Sequence, residues 1–378
     1  MASVAIGTVA LQPRIGTATF RYRNPVSLHS AGLGHRFFDG TTAGQRPTQC
    51  GTTVRCMTRP FGVVVGDGLF ARARGNPLLT PTRWPYRVNA VMNAGATPVG
   101  DQTVLRCRVE DRRGISHLTV ARSADGVSNW VVEAEPLIAP EVDHPEEVWG
   151  VEDPRVTRVD ELDGWVIAYT AFGPLGPAVS LAVTHDFRSV ERLGVACPPD
   201  DKNASLLPRR VGGQFVLFHR PAATIGGRAD VWISRSADLR GWTSPEPVFG
   251  ARAGGWWDSA RVGIGPPPLE TAEGWLVIYH GVRRTVAGEL YRVGLALLDL
   301  DDPGRLIKRC DEWVLGPTEP YEQVGDVPGV VFPSGLIHRE SGELRLYYGA
   351  ADTCIAMAAG HLDEVLGYVM EHGQPPPS

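Results

Sequence analysis

The sequence predicts an all-β chain folded as a five-bladed β-propeller with a central axial cavity. Three observations carry this. Turn formers are abundant: 44 Gly and 31 Pro among 378 residues favour many short strands over long helices. Apolar residues alternate with a period of two inside short runs, the pattern of strands. One strand–loop–strand unit recurs five times at a spacing of roughly 50–70 residues, the range of a four-stranded blade. A two-sheet sandwich is the competing arrangement, and it has no need of one unit repeated five times.

The elements follow in chain order. Residues 1–56 hold one acidic residue, Asp39, against six arginines, with no sustained hydrophobic periodicity. They read as a disordered extension or a start assigned too early, since Met57 opens a well-patterned stretch. An Arg-rich, acid-poor transit peptide is the other reading. Residues 57–372 are expected to form the propeller. Its repeats are "QTVLRCRVEDRRGISHLTVARSADG", "GWVIAYTAFGPLGPAVSLAVTHDF", "GQFVLFHRPAATIGGRADVWISRSADL", "GWLVIYHGVRRTVAGELYRVGLALLDLDDP" and "GELRLYYGAADTCIAMAAGHLDEV". Their first strands begin near Thr103, Trp165, Gln214, Trp275 and Leu344. The residues between copies would supply the other two strands of each blade. One helical pattern appears, "HLDEVLGYVMEH", and residues 373–378 read as a flexible tail.

Composition excludes several function classes. Hydrophobic residues at 43% and charged residues at 21% are ordinary for a globular chain. No apolar run is long enough to span a membrane as a helix. A net charge of -5 argues against a nucleic-acid partner. Six cysteines without a CxxC or metal-type spacing predict reduced thiols, no metal site and a cytoplasmic location. No Walker motif, GxGxxG or GxSxG is present, so nucleotide-binding and serine-hydrolase readings have no support.

In a propeller, polar residues at matched repeat positions converge on the axis. Arg108, Arg220, His280 and Asp352 end the first strands of their repeats, and each is costly to bury without a partner or ligand. In "GVEDPR", Asp153 sits beside Pro154, which favours a rigid turn or extended geometry. It is either a turn-capping carboxylate or a fixed general acid. "DKNASLLP" adds Lys202 and Asn203; Lys202 and Lys308 are the only lysines in the chain. Lys, Asn, Arg and His together have the donor inventory of an oxyanion site. Trp256 and Trp257 form either a sugar-stacking wall or part of the core.

These blocks together resemble glycoside hydrolase family 130, the β-mannoside phosphorylases and their relatives. The resemblance spans roughly residues 60–370. It rests on "RVEDRRGISHLTVARSADG", "GVEDPRVT", "DKNASLLP", "LFHRP", "GPPP", "GWLVIYHGV", "YRVGLALLDLDDP", "VVFPSG" and "LYYGAADT" in order. It looks most like the branch acting on mannooligosaccharides and mannosyl-N-acetylglucosamine. The family fold is a five-bladed propeller. By resemblance, Asp153 is the catalytic acid. Asn93, Arg108, Phe332 and Asp352 surround the terminal mannosyl unit, and Lys202, Asn203, Arg220, His280 and Tyr291 hold phosphate. Ala94 stands where some members carry a small hydroxyl residue. Lys202 stands in for an arginine, which keeps the charge and loses the bidentate fork.

The resemblance implies reversible, inverting phosphorolysis of a terminal β-mannosyl unit to give α-D-mannose 1-phosphate. An inverting hydrolase needs an acid and a base. Phosphate is already an anionic nucleophile, so one carboxyl and a basic cluster suffice. In the family the acid is thought to act through the mannose 3-hydroxyl. No cofactor and no metal are expected; inorganic phosphate is a co-substrate and a β-mannoside the other partner. Homo-oligomers are common among relatives and are a further expectation. A hydrolase on the same scaffold and a non-catalytic glycan-binding propeller are the alternatives.

Overall fold

The computed structural model describes residues 68–221 and 229–376. The expected extension 1–56, and the proposed boundary at residue 57, lie outside the described residues. Five antiparallel sheets follow one another along the chain as the blades of a β-propeller. Blade 1 comprises Ala90–Val99, Gln102–Glu110, Ser116–Ser123 and Val131–Val132. Blade 2 comprises Gly150–Val159, Gly164–Gly173, Gly176–Thr184 and Glu191–Cys197. Blade 3 comprises Asp201–Leu206, Phe215–Pro221, Val231–Ser236 and Glu246–Phe249. Blade 4 comprises Arg261–Ile264, Gly274–Thr285, Gly288–Leu298 and Leu306–Cys310, with Leu269–Thr271 extending its inner edge. Blade 5 comprises Val331–His338, Glu343–Ala350 and Cys354–His361, and takes its outermost strand, Ala71–Arg72, from the start of the described chain.

Each copy of the sequence repeat supplies the second and third strands of a blade. The strand preceding each copy leads the sheet and packs near the axis. There the backbones nearly touch. A Cβ on Gly95 of blade 1 would lie 2.9 Å from the Pro154 carbonyl of blade 2, and one on Gly335 of blade 5 would lie 2.7 Å from the Ala94 carbonyl.

Second strands read as near-continuous apolar runs because both faces are buried. Along Gln102–Glu110, Val104 faces blade 2 while Leu105, Cys107 and Val109 face blade 5. The same division holds around the fold. Five hydrophobic clusters lie one at each blade interface, with Leu206, Phe215 and Leu217 against blade 2 and Trp275, Val277 and Tyr279 against blade 3. Each blade is thus held by its two neighbours rather than by a core of its own.

The predicted C-terminal helix forms over Leu362–His372 and buries Val365 and Val369 against blades 4 and 5. The tail reading is corrected at its start. Gly373–Gln374 pairs with Arg309 and Cys310 and covers part of the outer edge of blade 4, where unpaired backbone groups would otherwise face water. At the closure of blade 5, Arg72 holds the fully buried Glu322 at 2.7 and 2.9 Å and the Gly316 carbonyl at 2.6 Å. Among the described residues no helix is long and apolar enough to cross a membrane.

Candidate active site

The inner strands of blades 1, 2, 3 and 5 are interrupted at about the same level. Register shifts fall between Met92 and Gly95, Glu152 and Arg155, Lys202 and Ser205, and Pro333 and Gly335. Three of these bulges contain a left-handed residue: Asn93 (φ 49°), Asp153 (φ 47°) and Asn203 (φ 55°). Asn and Asp tolerate this region best among residues with a Cβ. A bulge re-aims a side chain that the regular alternation would send elsewhere, and such strain gathers at functional sites. Here it turns Asn93, Asp153 and Asn203 into an axial pocket.

That pocket, about 140 Å³, is lined by all ten residues singled out in the sequence, from Asn93 through Asp352. Glu152 and Arg261 complete it. A larger cavity of about 720 Å³, beside Phe249, Arg309 and Gln374, contains none of them. Lys202 and Arg220 are facing partners of one ladder rung, whereas Arg108 enters from the second strand of blade 1 and His280 from that of blade 4. Asp352 occupies the turn between the second and third strands of blade 5.

One side of the pocket is acidic. Asp153 Oδ1 accepts hydrogen bonds from Asn93 Nδ2 at 2.8 Å and Arg108 Nη1 at 3.1 Å. Burial pushes this carboxyl up, but the charges of Arg108 and Arg155 and the Asn93 hydrogen bond prevail and hold it below the ordinary aspartate value. Arg108 also reaches Glu152 at 3.0 Å. Burial raises Glu152, with Arg108 opposing. Asp352 is raised to about 6 by burial, reinforced by the charge of Asp153.

Beneath them, Arg155 donates to the Asp153 carbonyl at 3.0 Å and the Gly265 carbonyl at 2.7 Å, and its guanidinium lies 5.1 Å from the Phe332 ring centre. It is fully buried and ties the Asp153 bulge to blade 4 and blade 5.

The other side is basic. Arg261 pairs with Glu289 and donates to the Tyr291 hydroxyl at 2.6 Å. Among the described residues, Lys202 and Arg220 form no ion pair. Asn203, with its amide carbonyl turned to Arg220, accepts from Nη2 at 3.0 Å and Nε at 3.1 Å. Burial, with Arg261 nearby, lowers Arg220 to about 10. His280, expected to help hold phosphate, lies against the same side. Burial, then Arg220, Arg155 and Arg261, depress it well below its usual value, so the ring is neutral. It offers a hydrogen bond and no charge. Gly263 makes room for it: a Cβ there would lie 2.5 Å from the imidazole.

Behind Lys202 and Arg220 runs a buried chain. Ser234 Oγ meets His219 Nε2 at 3.1 Å, His219 Nδ1 meets Asp201 Oδ2 at 2.6 Å, and Asp201 Oδ1 accepts the Arg220 backbone N–H at 3.1 Å. Cys197 lies close by, the only metal-type cluster among the described residues. Its carboxylate and imidazole are already engaged by these protein donors and acceptors.

Two expectations fall outside the pocket. Trp257 is buried on Tyr279, and Trp256 lies on the surface of blade 4; neither lines the axial site. Ala94 is fully buried and does not line it either. Arg261 escaped sequence reading because its inner strand is four residues long, too short for periodicity. Glu152 adjoins Asp153 in "GVEDPR", and nothing in the local sequence sets it apart as a pocket residue.

A family model described as β-1,4-mannooligosaccharide phosphorylase matches residues 78–371. The chain belongs to glycoside hydrolase family 130. It is 34% identical over 312 residues to the β-1,4-mannooligosaccharide phosphorylase of Ruminococcus albus, covering 80% of this chain and 91% of that one. It is 35% identical over 252 residues to a β-1,2-mannobiose phosphorylase of Listeria innocua, covering 67% and 68%. A solved structure of a β-1,2-mannobiose phosphorylase from Listeria innocua, bound to β-1,2-mannobiose, aligns with a TM-score of 0.74 at 28% identity over 80% of this chain and 99% of that one. These relatives are phosphorylases of the glycosyl-transferring class, and this member of the family is an enzyme.

Proposed function

We propose that the protein is an inverting β-mannoside phosphorylase. It transfers a terminal β-mannosyl unit to inorganic phosphate and releases α-D-mannose 1-phosphate and a shortened acceptor, reversibly. The observation that carries this reading is the division of charge in the pocket. Asp153 and Glu152 are tied to Arg108, and Asp153 to Asn93 as well, while Lys202 and Arg220 face the cavity with no ion-pair partner among the described residues. Two cations without a direct ion-pair partner among the described residues, in a largely buried site, call for an anion.

Phosphate held by Lys202, Asn203, Arg220, His280 and Tyr291 attacks the anomeric carbon as the bond to the glycosidic oxygen breaks. Neutral His280 and the Tyr291 hydroxyl orient it; the charges stabilise it. Asn93, Arg108, Phe332 and Asp352 hold the mannosyl ring. Asp153 supplies the proton that reaches the leaving oxygen, in keeping with a relay through the mannose 3-hydroxyl. In the empty pocket Asp153 is ionised. Bound phosphate offsets the cations that depress it, so phosphate and proton enter together. The reaction needs no cofactor in this reading, and among the described residues the buried cysteines Cys107, Cys197, Cys310 and Cys354 form no disulfide, which suits a cytoplasmic setting.

Glu152 and Asp352 place further carboxyls in the pocket, and these favour hydrolysis as the second reading, with one of them activating water. Phosphate dependence separates the two. Incubation of β-1,2- and β-1,4-mannobiose with and without phosphate is expected to give mannose 1-phosphate only in its presence. Free mannose released at an equal rate without phosphate overturns the proposal.

A further inference from the structure

On the outer flank of blade 4 lies a cleft of about 580 Å³ whose walls include Trp256, Trp257, Trp313, Arg283, Arg292 and Glu312. Its size is in the range of small-molecule sites. The floor is built into the fold. Trp257 lies flat against the central strands of the blade because Gly281 and Gly294 carry no side chain; a Cβ there would come within 2.4 and 2.7 Å of the indole. The ring stacks on Tyr279 at 5.7 Å and donates its N–H to the Asp311 carbonyl at 2.7 Å. Beside it Trp256 is 38% exposed, with the Arg252 guanidinium 4.0 Å from its ring centre. Arg252 is itself anchored to Asp258 at 2.9 Å and Asp311 at 2.8 Å.

Charge distinguishes this cleft from an ordinary aromatic groove. Arg252, Arg261 and Arg309 of the same blade region all have carboxylate partners. Arg283 and Arg292 have none among the described residues. Arg292 lies over the Trp313 ring at 5.1 Å. Burial and then the neighbouring charge of Arg283 make its cation less favourable. Two adjacent guanidinium groups beside indole surfaces match a ligand with an apolar ring face and a negative charge. Asp311 also lines the cleft, paired with Arg252, and Glu312 stands beside it; Glu312 offers an acceptor to hydroxyl groups, and the two carboxylates disfavour a purely anionic ligand.

We propose that this cleft is a second saccharide site, separate from the axial pocket, that takes a pyranose bearing a phosphate or carboxylate. The site occupies the reverse of the strands that carry His280 and Tyr291: Tyr291 points to the axial pocket and the next residue, Arg292, to the cleft. It stands independently of the reaction assigned to the axial pocket.

Calorimetric titration of the full chain with mannose 6-phosphate, glucuronate, mannose and adenosine monophosphate tests the proposal. Saturable binding of at least one anionic sugar is expected. Arg283→Ala, an exposed change that spares the core, and the Arg283→Ala/Arg292→Ala pair should weaken it tenfold or more, whereas Arg220→Ala in the axial pocket should leave it intact. Binding of mannose 6-phosphate alone identifies phosphate as the recognised group, and binding of glucuronate identifies carboxylate. No saturable binding of either sugar, binding lost in Arg220→Ala but kept in the double variant, or tighter binding of the nucleotide overturns it.

Discussion

Asn93 and Asp153 are joined by a 2.8 Å hydrogen bond that links the left-handed bulges of blades 1 and 2. The bond aims the carboxyl into the pocket and, with Arg108, keeps it ionised while the site is empty. In the proposed mechanism, catalysis therefore depends on the alignment of two blades.

Asp153→Asn is expected to lower kcat by about 10²–10⁴-fold, the range for loss of a positioned acid. The substitution keeps the side-chain shape, so circular dichroism and the melting temperature should change little. Retained turnover would remove Asp153 from the chemistry.

Gly349→Ala tests the same alignment from outside the pocket. A Cβ there would lie 1.9 Å from Asn93 Oδ1 and 3.0 Å from its backbone N, so Asn93 has to move. Turnover should fall at least tenfold, with a smaller change in phosphate KM. An unchanged kcat would show that the link between the two bulges is dispensable.

Arg220→Ala should raise the KM for phosphate roughly 10–100-fold, the loss of one or two charge-assisted hydrogen bonds. The KM for the mannoside should move by less. Steady-state kinetics with each substrate varied in turn measures the split, and equal effects on both would make Arg220 structural.

His219→Leu cuts the buried chain from Ser234 to Asp201 and should act on phosphate KM in the same direction. His219→Asn keeps a donor near Asp201 and should recover part of the loss. A variant that only melts earlier, with both KM values unchanged, would confine the chain to stability.

Asp352 gives a pH signature. Its folded value, about 6, is above the ordinary 3.8. Between those values the folded protein binds the proton more tightly than the unfolded chain, so this group's contribution to stability falls as pH rises through the window. Asp352→Asn removes the penalty. Its melting temperature relative to the parent protein should therefore improve from pH 4 to pH 7. A difference that is flat across that range would contradict the burial of a charge at this position.

Blade number was legible because the second-strand pattern repeats, and the helix because its apolar residues recur at helical spacing; the ten pocket residues were reached from strand ends, local motifs and the family resemblance. Strand order was less legible. The innermost strands carry the bulges, and a bulge breaks the alternation that sequence reading depends on. Asn93, Asp153 and Asn203 were therefore reached through local motifs and resemblance, and Arg261 on its four-residue strand was missed. The depressed basicity of His280 has no local signature, since it follows from burial and then from three arginines supplied by blades 2, 3 and 4. Gly373–Gln374 looked like a loose end because two residues carry no pattern.

Ala71–Arg72 completes blade 5 by pairing with a strand almost 290 residues downstream in the chain. During synthesis that early segment has no native mate until the rest of the propeller has been made. The circle shuts late, by a clasp whose two halves come from opposite ends of the propeller, and a chain stopped short of Cys354 is left with an open seam.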